Sequence, residues 1–217
     1  VHQTFAGTLN VFQLPGHIRA DASFITGSTS TLSADLRLHG DTVIQQGAPF
    51  TGTGDLYSQS TGVLTMKDGS AVDVNLFVLG DLIVEDTGIG HASVNADASL
   101  NALAAFQLAG NTTDLYDRFL VADTLTVRSV LFDVDLLGYD PVAGDVFDVL
   151  DFTTFIDLGY TLDLPELSPG LAWDVSEFET LGELRIQPIP EPATLCLLAA
   201  GGLAVIRRGS PRDGCGR

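Results

Sequence analysis

Carboxylates are the most numerous reactive side chains of this chain, and several lie close enough in sequence to act as pairs. The pairs are Asp133 with Asp135, Asp148 with Asp151, and Glu85 with Asp86. Two carboxylates facing one another are the catalytic groups of glycoside hydrolases. Because these pairs fall where apolar and polar residues alternate, we favour a solvated sheet face. A secreted polysaccharide-active enzyme is the alternative.

Other catalytic and ligand-binding patterns are missing from the sequence. The four histidines share no metal-ligand spacing and are expected at the surface: His2, His17, His39 and His91. There is no Gly-x-Ser-x-Gly nucleophile motif, and the glycine-rich residues 51–54 lack the lysine of a phosphate-binding loop. The two cysteines, Cys196 and Cys215, leave the body without disulfides and exclude a structural zinc site. We therefore predict a protein that is not an enzyme, without catalytic, cofactor-binding or metal-binding residues.

The net charge limits the partners of the chain. With 28 acidic and 10 basic residues, its formal charge is −18. Such a surface repels nucleic acid and anionic membranes, so we expect no nucleic-acid partner. It suits an exported protein. Weak Ca²⁺ binding is left open, although the sequence contains no EF-hand loop.

The elements that carry these carboxylates are predicted to be β-strands. Apolar residues recur at every second position in two stretches, Val72, Val74, Leu76 and Val78, and Val130, Phe132, Val134 and Leu136. This period of two places each set on one face of a strand. Residues 92–109 fit either a strand or an alanine- and leucine-rich helix, and we favour a strand.

A weak internal repeat favours a β-solenoid. Segments of the pattern Gly-x-Leu-x-Val, with substitutions, occur at residues 6–11, 61–66, 79–84, 122–127 and 181–186. Their spacings lie near multiples of roughly 18–22 residues, as expected for one solenoid coil. We predict an all-β fold with a parallel β-helix-like body, and a β-sandwich or jelly roll is the alternative. Scattered Thr-x-Thr elements at 29–31, 51–53 and 124–126 make ice binding a minor alternative.

The C-terminal end has a three-part pattern. Pro190, Glu191 and Pro192 precede an apolar run over residues 193–206, and Arg207 and Arg208 end it. The run predicts a membrane helix, whose main residues are Ala193, Leu195, Leu197, Leu198, Gly201, Gly202, Leu203 and Ile206. A helix of this length spans about 21 Å, less than the ~30 Å hydrocarbon core, but arginine side chains can extend the span. A buried core helix and a plain membrane anchor are the alternatives.

This order of motif, apolar helix and basic pair resembles the PEP-CTERM protein-sorting signal of Gram-negative bacteria, over about residues 188–208. The resemblance implies an exported protein that is held transiently in the inner membrane. It also implies an exosortase-type processing enzyme as partner, cleavage near residues 190–192, and extracellular polysaccharide as a further candidate partner. The basic tail, residues 209–217, is longer than usual for the family. A signal peptide is expected before Val1, so we interpret the sequence as a fragment or a processed form.

Residues 114–187 resemble a second known module. The segments 116–121, 124–127, 138–141 and 144–150 occur in the order found in the closing segment of autotransporter-passenger-like β-solenoids. The bulky residues Phe147, Phe152, Phe155 and Trp173 are expected to cover the last coil, since terminal coils need a cap.

The predicted organisation has five parts. They are a β-rich repeat region (1–113), a solenoid end module (114–187), a proline-rich linker (188–192), the sorting signal (190–208) and the basic tail (209–217). We predict an exported, non-catalytic protein of the cell surface or extracellular matrix, with a structural or adhesive role.

Overall fold

The fold is built from three long parallel β-sheets, and the chain contributes successive strands to each sheet in turn. The computed structural model describes residues 30–47, 50–59, 62–85 and 87–190, together with the backbone of four strands between residues 3 and 24. Strands are numbered β1 to β25 along the chain, and the one helix among the described residues is α1. Up to β19 every third strand joins the same sheet, so each set of three strands forms one coil of a β-solenoid. β20 belongs to a separate sheet, and the last coil is formed by β21, β22 and β23.

Sheet A contains β1 (Gln3–Phe5), β4 (Ala22–Phe24), β7 (Thr42–Ile44), β10 (Val63–Met66), β13 (Asp81–Val84), β16 (Leu103–Leu108), β19 (Val130–Leu136) and β23 (Tyr160–Asp163). Sheet B contains β2 (Leu9–Val11), β5 (Ser30–Leu32), β8 (Phe50–Gly52), β11 (Ser70–Val72), β14 (His91–Val94), β17 (Arg118–Val121) and β21 (Leu150–Asp151). Sheet C contains β3 (Gly16–Arg19), β6 (Leu36–His39), β9 (Leu56–Ser58), β12 (Leu76–Val78), β15 (Ala98–Leu100), β18 (Thr124–Val127) and β22 (Thr154–Asp157). A three-stranded sheet contains β20 (Val146–Asp148), β24 (Leu171–Asp174) and β25 (Glu183–Pro188), and α1 is Phe178–Leu181.

The coil length confirms the predicted solenoid. In sheet A, Leu64 pairs with Leu82, and Leu82 pairs with Ala104 one turn later. The number of residues in each of these coils is therefore within the range that the sequence repeat predicted. The next coil, in which Ala104 pairs with Phe132, is longer because residues 109–117 add a loop between strands. The three short strands per coil, all paired in parallel, rule out the sandwich and jelly-roll alternatives.

Only one pair of the predicted repeat segments stacks in register. Residues 63–66 in β10 pair with residues 81–84 in β13, in the register that the sequence pattern predicted for the segments 61–66 and 79–84. Their glycines form a close contact at one corner, since a Cβ on Gly80 would lie 2.3 Å from the carbonyl oxygen of Gly62. The other segments lie in different sheets, so their likeness reflects a common strand pattern rather than a shared place in the coil.

The core is the interior of the coil, where side chains of successive turns stack. Leu64, Leu82, Ala104 and Phe132 form one such column, and each is at most 1% exposed. The alternation predicted for residues 130–136 is confirmed, because Val130, Phe132 and Val134 are buried in the single strand β19.

The alternating apolar residues of 72–78 all point to the interior, on one side of the chain as predicted, but they do not belong to one strand. Val72 ends β11 in sheet B, whereas Leu76 and Val78 lie in β12 in sheet C. Val74 lies at the corner between them and is 4% exposed. Residues 98–108 likewise form two strands, β15 and β16, which confirms strand over helix.

The last coil is covered by α1 and the three-stranded sheet. Phe178 of α1 is 1% exposed, and its ring lies 5.1 Å from that of Phe132 and 5.5 Å from that of Tyr160. Phe147 of β20 packs against Trp173 of β24, with ring centroids 6.0 Å apart. Bulky residues therefore cap the solenoid, as predicted, although Phe178 was not among the residues expected to do so.

The chain divides into two compact units, residues 1–187 and residues 188–217. The boundary predicted at residue 113 stays a prediction. Strands from both sides of it pair within each long sheet, as β16 does with β19 and β14 with β17.

Candidate functional site

The sorting motif begins just after the last strand. β25 ends at Pro188, Ile189 is 54% exposed, and Pro190 is exposed. Glu191 and Pro192 lie outside the described residues. So do the predicted membrane helix, Arg207, Arg208 and the basic tail. Among the described residues, no helix is both long and apolar enough to cross a membrane.

The first acidic pair lies on a sheet surface. Asp133 and Asp135 both point outward from β19, and Asp133 lies beside Asp163 of the next coil. Burial raises the pKa of Asp133, and repulsion from Asp135 and Asp163 adds to the rise. Three carboxylates therefore share a sheet face, as the sequence indicated for a solvated surface.

The second acidic pair is separated by its contacts. The Arg118 guanidinium forms an ion pair with the Asp148 carboxylate and also donates to the Asp148 carbonyl oxygen. Burial nevertheless raises the pKa of Asp148, because it outweighs the attraction of Arg118. Asp151 is exposed and lines a depression of about 310 Å³ on sheet B.

Glu85, of the third pair, holds a turn together. Its carboxylate accepts bonds from the Lys67 ammonium at 2.7 Å, from the Asp68 backbone N–H at 3.2 Å and from the Thr87 hydroxyl at 3.1 Å. Burial opposes ionisation of Glu85, but these bonds outweigh it and lower its pKa. Its partner Asp86 lies outside the described residues. The contacts of Glu85 are those of a structural carboxylate.

Asp117 is a buried carboxylate that the sequence did not single out as a site. It is 0% exposed, and its two oxygens accept from the backbone N–H groups of Gly90 and Gln107, both at 2.7 Å. Burial raises its pKa to about 7, although these two hydrogen bonds favour the charged form. The side chain joins the loop before β17 to two neighbouring segments, which is a structural role.

Polar side chains form a column at the corner before sheet C. Asp35, Asp55, Asn75 and Asp97 occupy this corner in four successive coils. The backbone N–H of Asp55 donates to Asp35 at 3.3 Å, and the Asn75 amide donates to Asp55 at 3.1 Å. The N–H groups of Asp97 and Thr124 continue the column by donating to Asn75 and Asp97. We call these four residues the corner column.

The outer face of sheet C carries the most distinctive surface of the molecule. Its central line, one residue per coil, is Arg37, Tyr57, Phe77, Ser99, Thr126 and Ile156. We call these six residues the sheet C line. The Arg37 guanidinium lies 4.3 Å above the Tyr57 ring, and the Tyr57 and Phe77 rings stack at 4.7 Å with an angle of 11°. Beyond Phe77 the side chains become small and hydroxylated.

A groove follows the end of this aromatic stack. It has a volume of about 340 Å³ and is lined by Phe77, Asp97, Ser99, Thr124, Thr126 and Ile156 among others. Sequence reasoning missed it, but its signal was present, since Arg37, Tyr57 and Phe77 are equally spaced along the chain. Such a spacing is recognisable only once the coil length is known.

The threonine pairs do not form one ladder. Thr31 pairs with Thr51 in sheet B, whereas Thr124 and Thr126 lie in sheet C, and Thr29 lies outside the described residues. Of the histidines, His91 bonds through Nε2 to the Thr113 carbonyl oxygen at 2.6 Å. The side chains of His2 and His17 are not among those described.

Comparison with known proteins bears on the tail. Residues 188–210 match the family model described as the PEP-CTERM protein-sorting motif. No curated protein and no solved structure matches the chain. The matched motif confirms the predicted sorting signal and indicates an exported protein that is processed by exosortase, a membrane enzyme.

Proposed function

We propose that this chain is an exported, non-catalytic β-solenoid with a structural or adhesive role at the cell surface or in the extracellular matrix of a Gram-negative bacterium. The observation that carries this proposal is the PEP-CTERM motif over residues 188–210. In this account the apolar run over residues 193–206 holds the protein in the inner membrane until exosortase cuts near residues 190–192. The solenoid is then the part that functions outside the cell.

The body supports a non-catalytic role through the use of its carboxylates. Asp148 is paired with Arg118, Glu85 with Lys67, and Asp117 bonds two backbone N–H groups. Asp133 and Asp163 lie side by side on a sheet surface. A glycosidase needs two carboxylates across a substrate, one of which serves as the acid. The arrangement of these side chains suits stabilisation of coils better than that chemistry.

The C-terminal coils of the solenoid support a relationship to autotransporter-passenger-like modules. The segments that suggested it include β17, β18 and β20, which belong to the last coils and the cap. In this proposal, residues 114–187 close the solenoid.

Replacing the motif in the full chain tests this proposal. The chain, behind a secretory signal peptide, is produced in a host that has exosortase and in the same host without it. With exosortase, the wild-type protein is expected to be cut and released. The variant P190A/E191A/P192A is expected to stay cell-bound at full length, whereas the control P169A, at an exposed proline outside the matched residues, is released. Equal retention of an uncut wild-type chain in both hosts would make the apolar run a plain anchor and defeat the proposal.

A further inference from the structure

The aromatic stack on sheet C ends with an uncovered ring. Tyr57 covers one face of the Phe77 ring, and the near-parallel stacking directs the other face toward the next coil. The residue in register there is Ser99, whose side chain is too small to cover a phenyl ring. The half-buried Phe77 ring therefore lines one end of the groove with an aromatic surface.

The rest of the groove mixes apolar and hydrogen-bonding groups. Ser99 and Thr126 lie next to each other along the floor and are half-buried. Ile156, 41% exposed, closes the far end in register with Thr126. On the rim, the Asp97 carboxylate accepts from the Thr124 backbone N–H at 3.0 Å, and the Asp97 backbone N–H donates to the Asn75 amide oxygen at 3.3 Å.

We propose that this groove binds a segment of a neutral polysaccharide. A sugar ring presents apolar C–H faces, which suit the Phe77 ring and Ile156, and peripheral hydroxyls, which suit Ser99, Thr126 and Asp97. Small-molecule sites commonly combine an apolar lining with a few fixed polar groups. The proposal rests on the proposed function, because the surface location brings the protein into contact with polysaccharide.

Charge selects a neutral polymer over an acidic one. The groove contains the carboxylate of Asp97. The Asp55 carboxylate lies beside the sheet C line, where it accepts from the Tyr57 hydroxyl. The chain as a whole carries −18. An anionic polysaccharide would be repelled by both the local and the overall charge. Arg37 lies at the other end of the line, where it packs on Tyr57.

Gel-retardation by immobilised polymers tests the proposal with the full chain in mild detergent. The probes are three neutral polymers, dextran, hydroxyethylcellulose and galactomannan, and the anionic carboxymethylcellulose. At least one neutral polymer is expected to retard the protein, and carboxymethylcellulose is not. Loss of the ring in Phe77→Ala is expected to raise the Kd roughly tenfold, the effect of about 1.4 kcal/mol. Phe77→Leu, which keeps apolar bulk without a ring, should show the same loss.

Two further variants locate the site. Thr126→Val keeps the shape of the floor but removes a hydroxyl, and a several-fold rise in Kd is expected. Leu120→Ala alters the depression of about 310 Å³ on sheet B and should leave the Kd unchanged. Thermal unfolding of each variant shows whether it is folded, and Phe77→Leu replaces Phe77→Ala if the latter is not.

Three results would contradict the proposal that the groove binds a neutral polysaccharide. They are no retardation by any neutral polymer, equal retardation by carboxymethylcellulose, and an equal loss in Leu120→Ala. Because binding is measured on purified protein, it is independent of sorting. If the chain is cut and released but binds none of these polymers, only the polysaccharide-binding proposal is refuted. If it binds them but is never cut, only the sorting proposal is refuted.

Discussion

The regular coils and the closing cap are stabilised in different ways. In the coils, mostly aliphatic side chains with a few phenylalanines stack on the side chains in register in the next turn, as Leu64 does on Leu82. In the cap, the contacts are between unlike aromatic rings, such as Phe147 with Trp173 and with Tyr116. Each coil contact has an equivalent one turn away, whereas each cap contact occurs once.

Polar groups show the same difference. The corner column is repeated over four coils and is reached by solvent. In the cap, Asp145 is 5% exposed and accepts from the Tyr139 hydroxyl at 2.6 Å and the Val142 N–H at 2.8 Å. Burial opposes ionisation of Asp145, but its hydrogen bonds outweigh burial and lower its pKa. In a stack of repeats, stability is shared between neighbours, so we expect single changes to matter most in the cap.

The largest effect is expected from the cap residue Phe178. Phe178→Ala removes a ring that contacts Phe132, Phe155 and Tyr160, and should lower the free energy of unfolding by about 3–5 kcal/mol. The matched control is Phe77→Ala, the same substitution on the outer face of sheet C, with a loss of less than about 1 kcal/mol expected. Denaturant unfolding measures both. An equal loss in the two variants would contradict the difference between cap and outer surface.

The next effect concerns the close approach of the chain at Gly182. This residue has φ 73°, and a Cβ would lie 1.9 Å from the Leu150 carbonyl oxygen. Gly182→Ala should cost about 2–4 kcal/mol, since strain and overlap add. The control Gly138→Ala has a similar φ of 70° but meets nothing within 4 Å, so only about 1–2 kcal/mol is expected. Equal melting temperatures for the two variants would show that Gly182 is not in tight contact.

A pH-dependent effect is expected from Asp117. Its pKa is about 7 in the folded protein and near 3.8 when unfolded. Between pH 4 and 7 the unfolded chain releases this proton while the folded protein retains it, so stability falls as pH rises. The free energy of unfolding of the wild type should therefore fall by about 3 kcal/mol relative to that of Asp117→Asn over this range. A difference between the two proteins that is constant from pH 4 to 7 would refute this assignment.

The smallest effect is expected in the corner column. Asn75→Ala removes bonds to Asp55 and Asp97 and should cost about 1 kcal/mol. Asn75→Asp places a third charge between those two carboxylates, so its loss should shrink at high salt, whereas that of Asn75→Ala should not. Urea unfolding at low and high salt measures both variants. Equal salt dependence would mean that the column does not act through its charges.

The general fold was predictable because it depends on local patterns. Alternation, turn residues and the approximate coil length are all visible in sequence, as in residues 61–66 and 79–84. Corners were harder, because Val72 and Leu76 remain inward-facing when a bend separates them into two strands. Period alone does not reveal such a bend.

The surface groove and the buried carboxylate could not be found in the same way. The line from Arg37 to Phe77 exists only because coils of equal length place these side chains side by side. Asp117 is buried by long-range packing against Gly90 of an earlier coil, which a local pattern does not encode. The sorting motif was predictable because it is contiguous in sequence.

The most direct test of the central claim is the mass of the mature protein from its native host, measured separately for cell-bound and released material. A released form that ends near residues 190–193 is the result expected for a solenoid delivered by its PEP-CTERM tail. A protein that stays in the membrane and retains the apolar run over residues 193–206 would contradict that claim.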